Sequence, residues 1–299
     1  VGMIGCYAVW KFIPDLRGTE RTRFDSLGFL LFGAAMVLIT IAMEGLGELH
    51  LPHLRVMLLL FGGMACLAAY WLRAGHIENP LFSPVLFKTR TFAVGILGNL
   101  FARLGSGALP FLVPLLLQIA LGYSPSQAGM SMLPLAAAAM VAKSIARPLI
   151  ERLGYRIVLT GNTLLLGMML ASMGLVSEQT PYPLLLAMLA VLGAINSLQF
   201  TAMNTVTLID LDDAQASSGN SLLSVVAQLA LSLGVACAGA LLGGFTAEAG
   251  NDGVNTVLEA FQLTFLTVGI MAMLAAAIFL QLSPKDGKRM VSREHDIEH

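Results

Sequence analysis

Eight uninterrupted apolar runs, at about 26–44, 56–72, 92–118, 127–147, 156–176, 182–209, 218–243 and 260–281, constrain this chain more than any other feature. Most approach or exceed the roughly 20 residues that a helix needs to cross the hydrocarbon of a bilayer. In that medium every backbone N–H and C=O must be paired internally, which a run of this kind achieves as a helix. A strand reading fails, because membrane strands alternate polar and apolar residues over about ten positions and these runs do not. The turns between them, such as RGTERTR (17–23), YSPSQ (123–127) and EQTPYP (178–183), are mostly short and polar, so neighbouring helices run antiparallel. Charged residues make up 12% of the chain, half of what a soluble chain uses to cover its outside, so lipid must cover it instead. The expected fold class is an all-α, polytopic membrane protein.

The placement of cations orients the helices. If the first stretch ends in the cytoplasm, that side holds Lys11, Arg17, Arg21, Arg23, Arg73, Lys88, Arg90, Arg147, Arg152, Arg156, Lys285, Lys288, Arg289 and Arg293. The other side holds only Arg55, and Arg103 and Lys143 fall within spans. Such a bias follows the positive-inside rule and puts the C-terminus in the cytoplasm. A whole-span error in any boundary would scramble it. The opening VGMIGCYAVWKFIP has no basic region followed by a cleavage site, so it is not a signal peptide, and it is too short to span. It is expected to be the tail of a further, partial spanning helix.

Five blocks result. Residues 1–23 are a helix end and basic linker, 24–73 a helical hairpin, and 74–90 an interfacial connector. Residues 91–281 hold six spans, arranged as two groups of three (91–176 and 182–281) if the chain uses inverted repeats. Residues 282–299 are a polar cytoplasmic tail. The three cysteines, Cys6, Cys66 and Cys237, sit in apolar runs with spacing that suits neither metal nor disulfide, and are taken as small hydrophobes.

Arg103 is the most informative residue. A cation near mid-membrane costs roughly 2.5–3.5 kcal/mol on insertion scales and ordinarily faces a bundle interior or wet cavity. Asn99 lies one turn earlier on the same face, and Gly105, Gly107, Pro110 and Pro114 follow, so this span is expected to bend. Arg103 is either a cavity cation that binds anionic groups or takes part in proton-linked switching, or an arginine that pairs with carbonyls at a helix break or snorkels to water. Lys143 can snorkel to the cytoplasmic end. Asn196, Gln199, Met203 and Thr207 share one helical face, as do Ser221, Ser224, Gln228 and Ser232. Polar groups in hydrocarbon need partners, so both faces should point into protein. Asn196, Gln199 and Gln228 are assigned to a solute cavity, and the serines to helix packing. Gly239–Gly243 in GALLG is a GxxxG pattern for close approach.

RPLIERLGYRIVL is taken as a basic cytoplasmic loop in which Arg147, Arg152, Gly154 and Arg156 could lock to acidic helix ends. Positive-inside placement alone would also produce its arginines. Asp210, Asp212 and Asp213 form an acidic cluster before the seventh full span. HExxH, GxSxG, P-loop and GxGxxG motifs are absent, so no enzyme chemistry, metal, cofactor or nucleic-acid partner is expected. No carboxylate lies near the middle of a span.

NLFARLGSGALPFLVPLLLQIALGYSPSQAG (99–129), ERLGYR (151–156), and QFTAMNTVTLIDL with ASSGNSLLSVVAQLALSLGVA (199–236) resemble the fourteen-spanner drug:proton antiporters of the major facilitator superfamily. The resemblance runs to about residue 282. It implies a bacterial inner-membrane exporter that works by alternating access, driven by the proton gradient. The chain would supply the C-terminal portion of that fold: 24–73 as the extra central pair and 91–281 as the C-terminal bundle. The N-terminal half of the same protein would hold the coupling acid, and small-molecule substrate, protons and the bilayer would be the partners. ERLGYR resembles an incomplete C-half copy of the superfamily's cytoplasmic loop motif, with Arg152, Gly154 and Arg156 in it.

Overall fold

The computed structural model describes residues 25–47, 52–77, 80–248 and 254–283. The opening stretch, the basic linker and most of the polar tail lie outside these residues. Every run expected to span forms helix, and among the described residues eight helical segments are long and apolar enough to cross a membrane. The hairpin is α1 (Ser26–Gly47) and α2 (His53–Ala74). A 3-10 turn (Pro84–Lys88) leads into α3 (Arg90–Gly107), which continues through α4 (Leu109–Leu115) and a π turn (Leu116–Ala120) as one span. Next come α5 (Pro125–Ser131) with α6 (Leu133–Leu153), then α7 (Tyr155–Met173), α8 (Tyr182–Leu208), α9 (Asp213–Glu248) and α10 (Val254–Phe279).

The breaks have local causes. The α3 span bends at Ala108, where the backbone bonds tighten to Ala108 N–H donating to the Gly105 carbonyl at 3.2 Å, just before Pro110. The span also loosens to a π turn after Pro114. The next span breaks at Met132, two residues before Pro134, which sits in the first turn of α6 where its missing N–H costs nothing.

RPLIERLGYRIVL is not a loop, and this corrects the sequence reading. Helix α6 runs through Arg147 and Arg152 to Leu153, Pro148 included, and Gly154 alone joins it to α7. Gly154 takes φ 80° and ψ 157°, a conformation essentially restricted to glycine. Arg147 pairs with Glu151 on its own helix at 2.7 Å. Among the described residues neither Arg152 nor Arg156 has an acidic partner.

Contacts between distant helix ends fix the alternation of the spans. At one end of the bundle, Thr91 Oγ1 donates to Asp210 Oδ2 at 3.0 Å, Arg90 donates to the Gln281 carbonyl, and Arg73 pairs with Asp25 at 2.6 Å. At the other, the Ser131 hydroxyl meets Tyr182 Oη at 3.2 Å and Gln262 Nε2 donates to the Val176 carbonyl at 3.2 Å. The basic helix ends at Arg73, Lys88, Arg90, Arg152 and Arg156 therefore share one side.

The largest helix pairings in the six-span bundle are α3 with α9, α6 with α8, and α7 with α10. The first helix of each group of three thus meets the second of the other, and the two third helices meet each other. Exchanging the groups leaves that pattern unchanged, as inverted repeats require. Glycines make the approach possible: a Cβ on Gly167 of α7 would lie 2.6 Å from the Gly269 carbonyl oxygen of α10. The GxxxG pair was expected to do this and does not. Gly243 has open space beside it, and Gly239 meets only the Phe111 ring at van der Waals distance. Two of the three α9 serines assigned to packing are also corrected, while Ser232 is half-buried. Ser221 and Ser224 are exposed and donate to the carbonyls of Ser217 and Asn220 on their own helix, so they are not packing residues.

The hairpin docks on α9 through Phe32, Tyr70 and Phe82, clustered with Phe92, Leu222 and Leu223. Tyr70 Oη holds the connector by accepting from the Phe82 N–H at 2.6 Å and donating to its carbonyl at 3.0 Å. Large apolar side chains such as Phe61, Met140 and Leu274 are 70% exposed or more. In water such a surface would aggregate; in a bilayer it meets lipid.

Candidate functional site

Helices α3, α6, α8 and α9 enclose two adjoining cavities whose walls share Arg103, Phe200 and Leu231. The one toward the start of α6 and α8 measures about 250 Å³ and is mainly apolar, with Leu109, Met132, Leu135 and Leu192 around Ser106 and Asn196. The one toward the start of α9 measures about 260 Å³ and is mixed, with Asn204, Asn220, Ser224 and Gln228 among Leu223, Ala227 and the shared Phe200 and Leu231. Each is just under the roughly 300 Å³ at which small-molecule pockets begin, and together they fall within that range.

Arg103 stands at the waist. Its Nε donates to Asn99 Oδ1 at 3.0 Å, and Asn99 Nδ2 donates in turn to the Gly95 carbonyl at 3.1 Å. Its guanidinium carbon lies 4.6 Å from the centre of the Phe200 ring, a cation–π contact. Two faces of the guanidinium are therefore held. Nη2 is not: it is buried and has no hydrogen-bond partner among the described residues. The Asn204 amide oxygen is also buried without a partner. Buried polar groups are nearly always paired, so two unpaired atoms on the wall of one cavity call for an explanation.

The amides singled out in the sequence meet different fates. Asn99 is wholly buried behind Arg103 and lines neither cavity; it positions the guanidinium. Gln199 reaches the outer wall but is 2% exposed with both ends engaged. Its Oε1 accepts from Asn162 Nδ2 at 2.8 Å and its Nε2 donates to Thr163 Oγ1 at 2.8 Å, so it clamps α8 to α7. Asn196 is half-buried and Gln228 exposed; each lines a cavity, one apiece. Met203 and Thr207, on the same face as Gln199, are buried, Met203 behind the wall of the apolar cavity and Thr207 against Gly95. Lys143 is exposed on α6 and lines neither cavity.

Phe200, Asn204 and Asn220 were not singled out. A signal existed for two of them: Asn196, Phe200 and Asn204 recur every fourth residue, a stripe beside the one chosen.

Residues 95–296 match the family profile described as Major Facilitator Superfamily. Over 280 residues the chain is 41% identical to a protein of Pectobacterium carotovorum subsp. carotovorum named "Putative multidrug resistance protein MdtD", covering 93% of this chain and 60% of that one. Proteins with the same name from Serratia proteamaculans and Yersinia pestis are 40% and 39% identical, over 94% and 96% of this chain. The chain spans 59% and 62% of their respective lengths.

Proposed function

This chain belongs to the major facilitator superfamily, and we propose that it forms the C-terminal part of a proton-coupled exporter of drugs or other amphipathic small molecules. Family and relatives point to a transporter rather than to an enzyme. In this reading an N-terminal bundle of the same protein closes the open side of the cavity and carries the acid that takes up protons. The chain alone would not transport. Alternating access then exposes the cavity to either side of the bacterial inner membrane, with the basic helix ends and the C-terminus in the cytoplasm.

One observation carries the proposal: the mid-span Arg103, held by Asn99 and Phe200 with a buried Nη2 left unpaired, at the junction of an apolar and a mixed cavity. A scaffold or sensor that never passed solute would gain nothing from keeping a charge unpaired in hydrocarbon. Export of one specific metabolite or siderophore would use the same waist, and substrate range separates it from broad efflux.

The test is extrusion of an amphipathic dye from proteoliposomes that hold the full-length protein. Extrusion should require an imposed proton gradient and stop when a protonophore is added. Extrusion that ignores the gradient, or its complete absence, would overturn the coupling.

A further inference from the structure

The free edge of Arg103 says more about the solute than its size does. Resting on the efflux reading of this cavity, we infer that the preferred solute is an amphipathic anion. Its carboxylate or equivalent acceptor seats on the terminal edge of the Arg103 guanidinium, and its apolar body lies among Leu109, Met132, Leu135 and Leu192.

The argument starts from charge. Neither cavity wall contains an aspartate or glutamate, and Arg103 is the cation in both. A cationic solute would meet like charge at the waist with no acid on these walls to offset it. A neutral solute would leave the Nη2 donor to a weak acceptor at best. An anion makes a charge-assisted hydrogen bond there, stronger than one between neutral groups.

Geometry agrees. Asn99 fixes Nε and Phe200 covers one face, so the guanidinium cannot swing away to find water. Arginine presents its N–H groups in a rigid fork, and with Nε already engaged the remaining edge is the terminal one. Preorganisation of this kind is what a receptor needs and what a merely structural arginine does not. Asn204, Asn220 and Gln228 on the second cavity's wall offer amides to polar groups on the same solute.

Three probes matched in shape test this: 4-butylbenzoate, 4-butylbenzamide and a 4-butylbenzyl trimethylammonium salt, titrated by calorimetry into full-length protein in nanodiscs. The benzoate should bind roughly tenfold or more tighter than the amide, as one charge-assisted hydrogen bond provides, and the ammonium weakest. In Arg103→Gln the benzoate should fall to the level of the amide. The wild-type ranking stands as evidence even if that variant misfolds. Equal affinity for the three, preference for the ammonium, or no binding would overturn the inference. Dye extrusion from proteoliposomes made with the same purified protein separates the two readings. Gradient-driven extrusion with no benzoate preference removes the anion and leaves efflux; benzoate preference without extrusion removes efflux and leaves the anion site.

Discussion

Replacing Gly193 with alanine should sharply reduce the yield of folded protein, while the same change at Gly243 should leave it unaltered. An added Cβ at Gly193 would lie 2.1 Å from the Leu135 carbonyl oxygen, where real Cβ atoms keep at least 3.0 Å. The obstacle is backbone, so no rotamer change relieves it, and α6 and α8 must separate. Separation breaks the Ser197 hydroxyl's 2.7 Å hydrogen bond to the Ala139 carbonyl, which ties the same two helices one turn further on. It also opens the wall of the outer cavity, because Leu135, Leu192 and Gly193 all line it. A cost of about 3 kcal/mol, the upper part of the overpacking range, is expected. Gly243 has nothing within 4 Å. Size-exclusion profiles and thermal aggregation of the two variants in detergent would check the contrast. Equal behaviour would show that the α6–α8 approach is not as close as described.

Asn162→Leu is expected to be nearly as damaging, through polarity instead of volume. Asn162 Nδ2 donates to the Ile195 carbonyl at 2.9 Å and to Gln199 Oε1 at 2.8 Å, both across the α7–α8 interface. Single interhelical hydrogen bonds in membranes average about 0.6 kcal/mol and reach about 1.7. The loss of two, with Gln199 Oε1 left buried and without a donor, should cost about 2 kcal/mol. Gln199→Leu should cost a similar amount. Because the residues share a bond, the double variant should cost clearly less than the two together. Simple additivity in thermal melts would mean that the network does not act as one unit.

The contrast between these amides shows what sequence can and cannot convey. Spans were legible because hydrocarbon demands long apolar runs, and that demand is written locally. The bend near Ala108 was legible for the same reason, since Gly105, Gly107, Pro110 and Pro114 lie within one short stretch. Arg103 was legible as a charge where charge is costly. Asn99, Asn196, Gln199 and Gln228 look alike in a string, yet one positions an arginine, one is spent on a partner 37 residues away, and two remain on cavity walls. Their fates depend on which helix lies opposite, and no local pattern records that. The same gap explains GALLG and the α9 serines. Their spacing suited packing, but Ser221 and Ser224 are exposed and, among the described residues, Gly243 has nothing within 4 Å.

The central claim is that the α3, α6, α8 and α9 faces around Arg103 border a water-accessible solute path, while α10 turns its outer face to lipid. Cysteine labelling reads this directly in full-length protein whose native cysteines, Cys6, Cys66 and Cys237 among them, have been replaced. Asn196→Cys and Ser224→Cys should react with a membrane-impermeant maleimide, and Ile270→Cys and Leu274→Cys should not. Labelling at the α10 positions, with Asn196→Cys and Ser224→Cys silent from both sides of the membrane, would contradict the account.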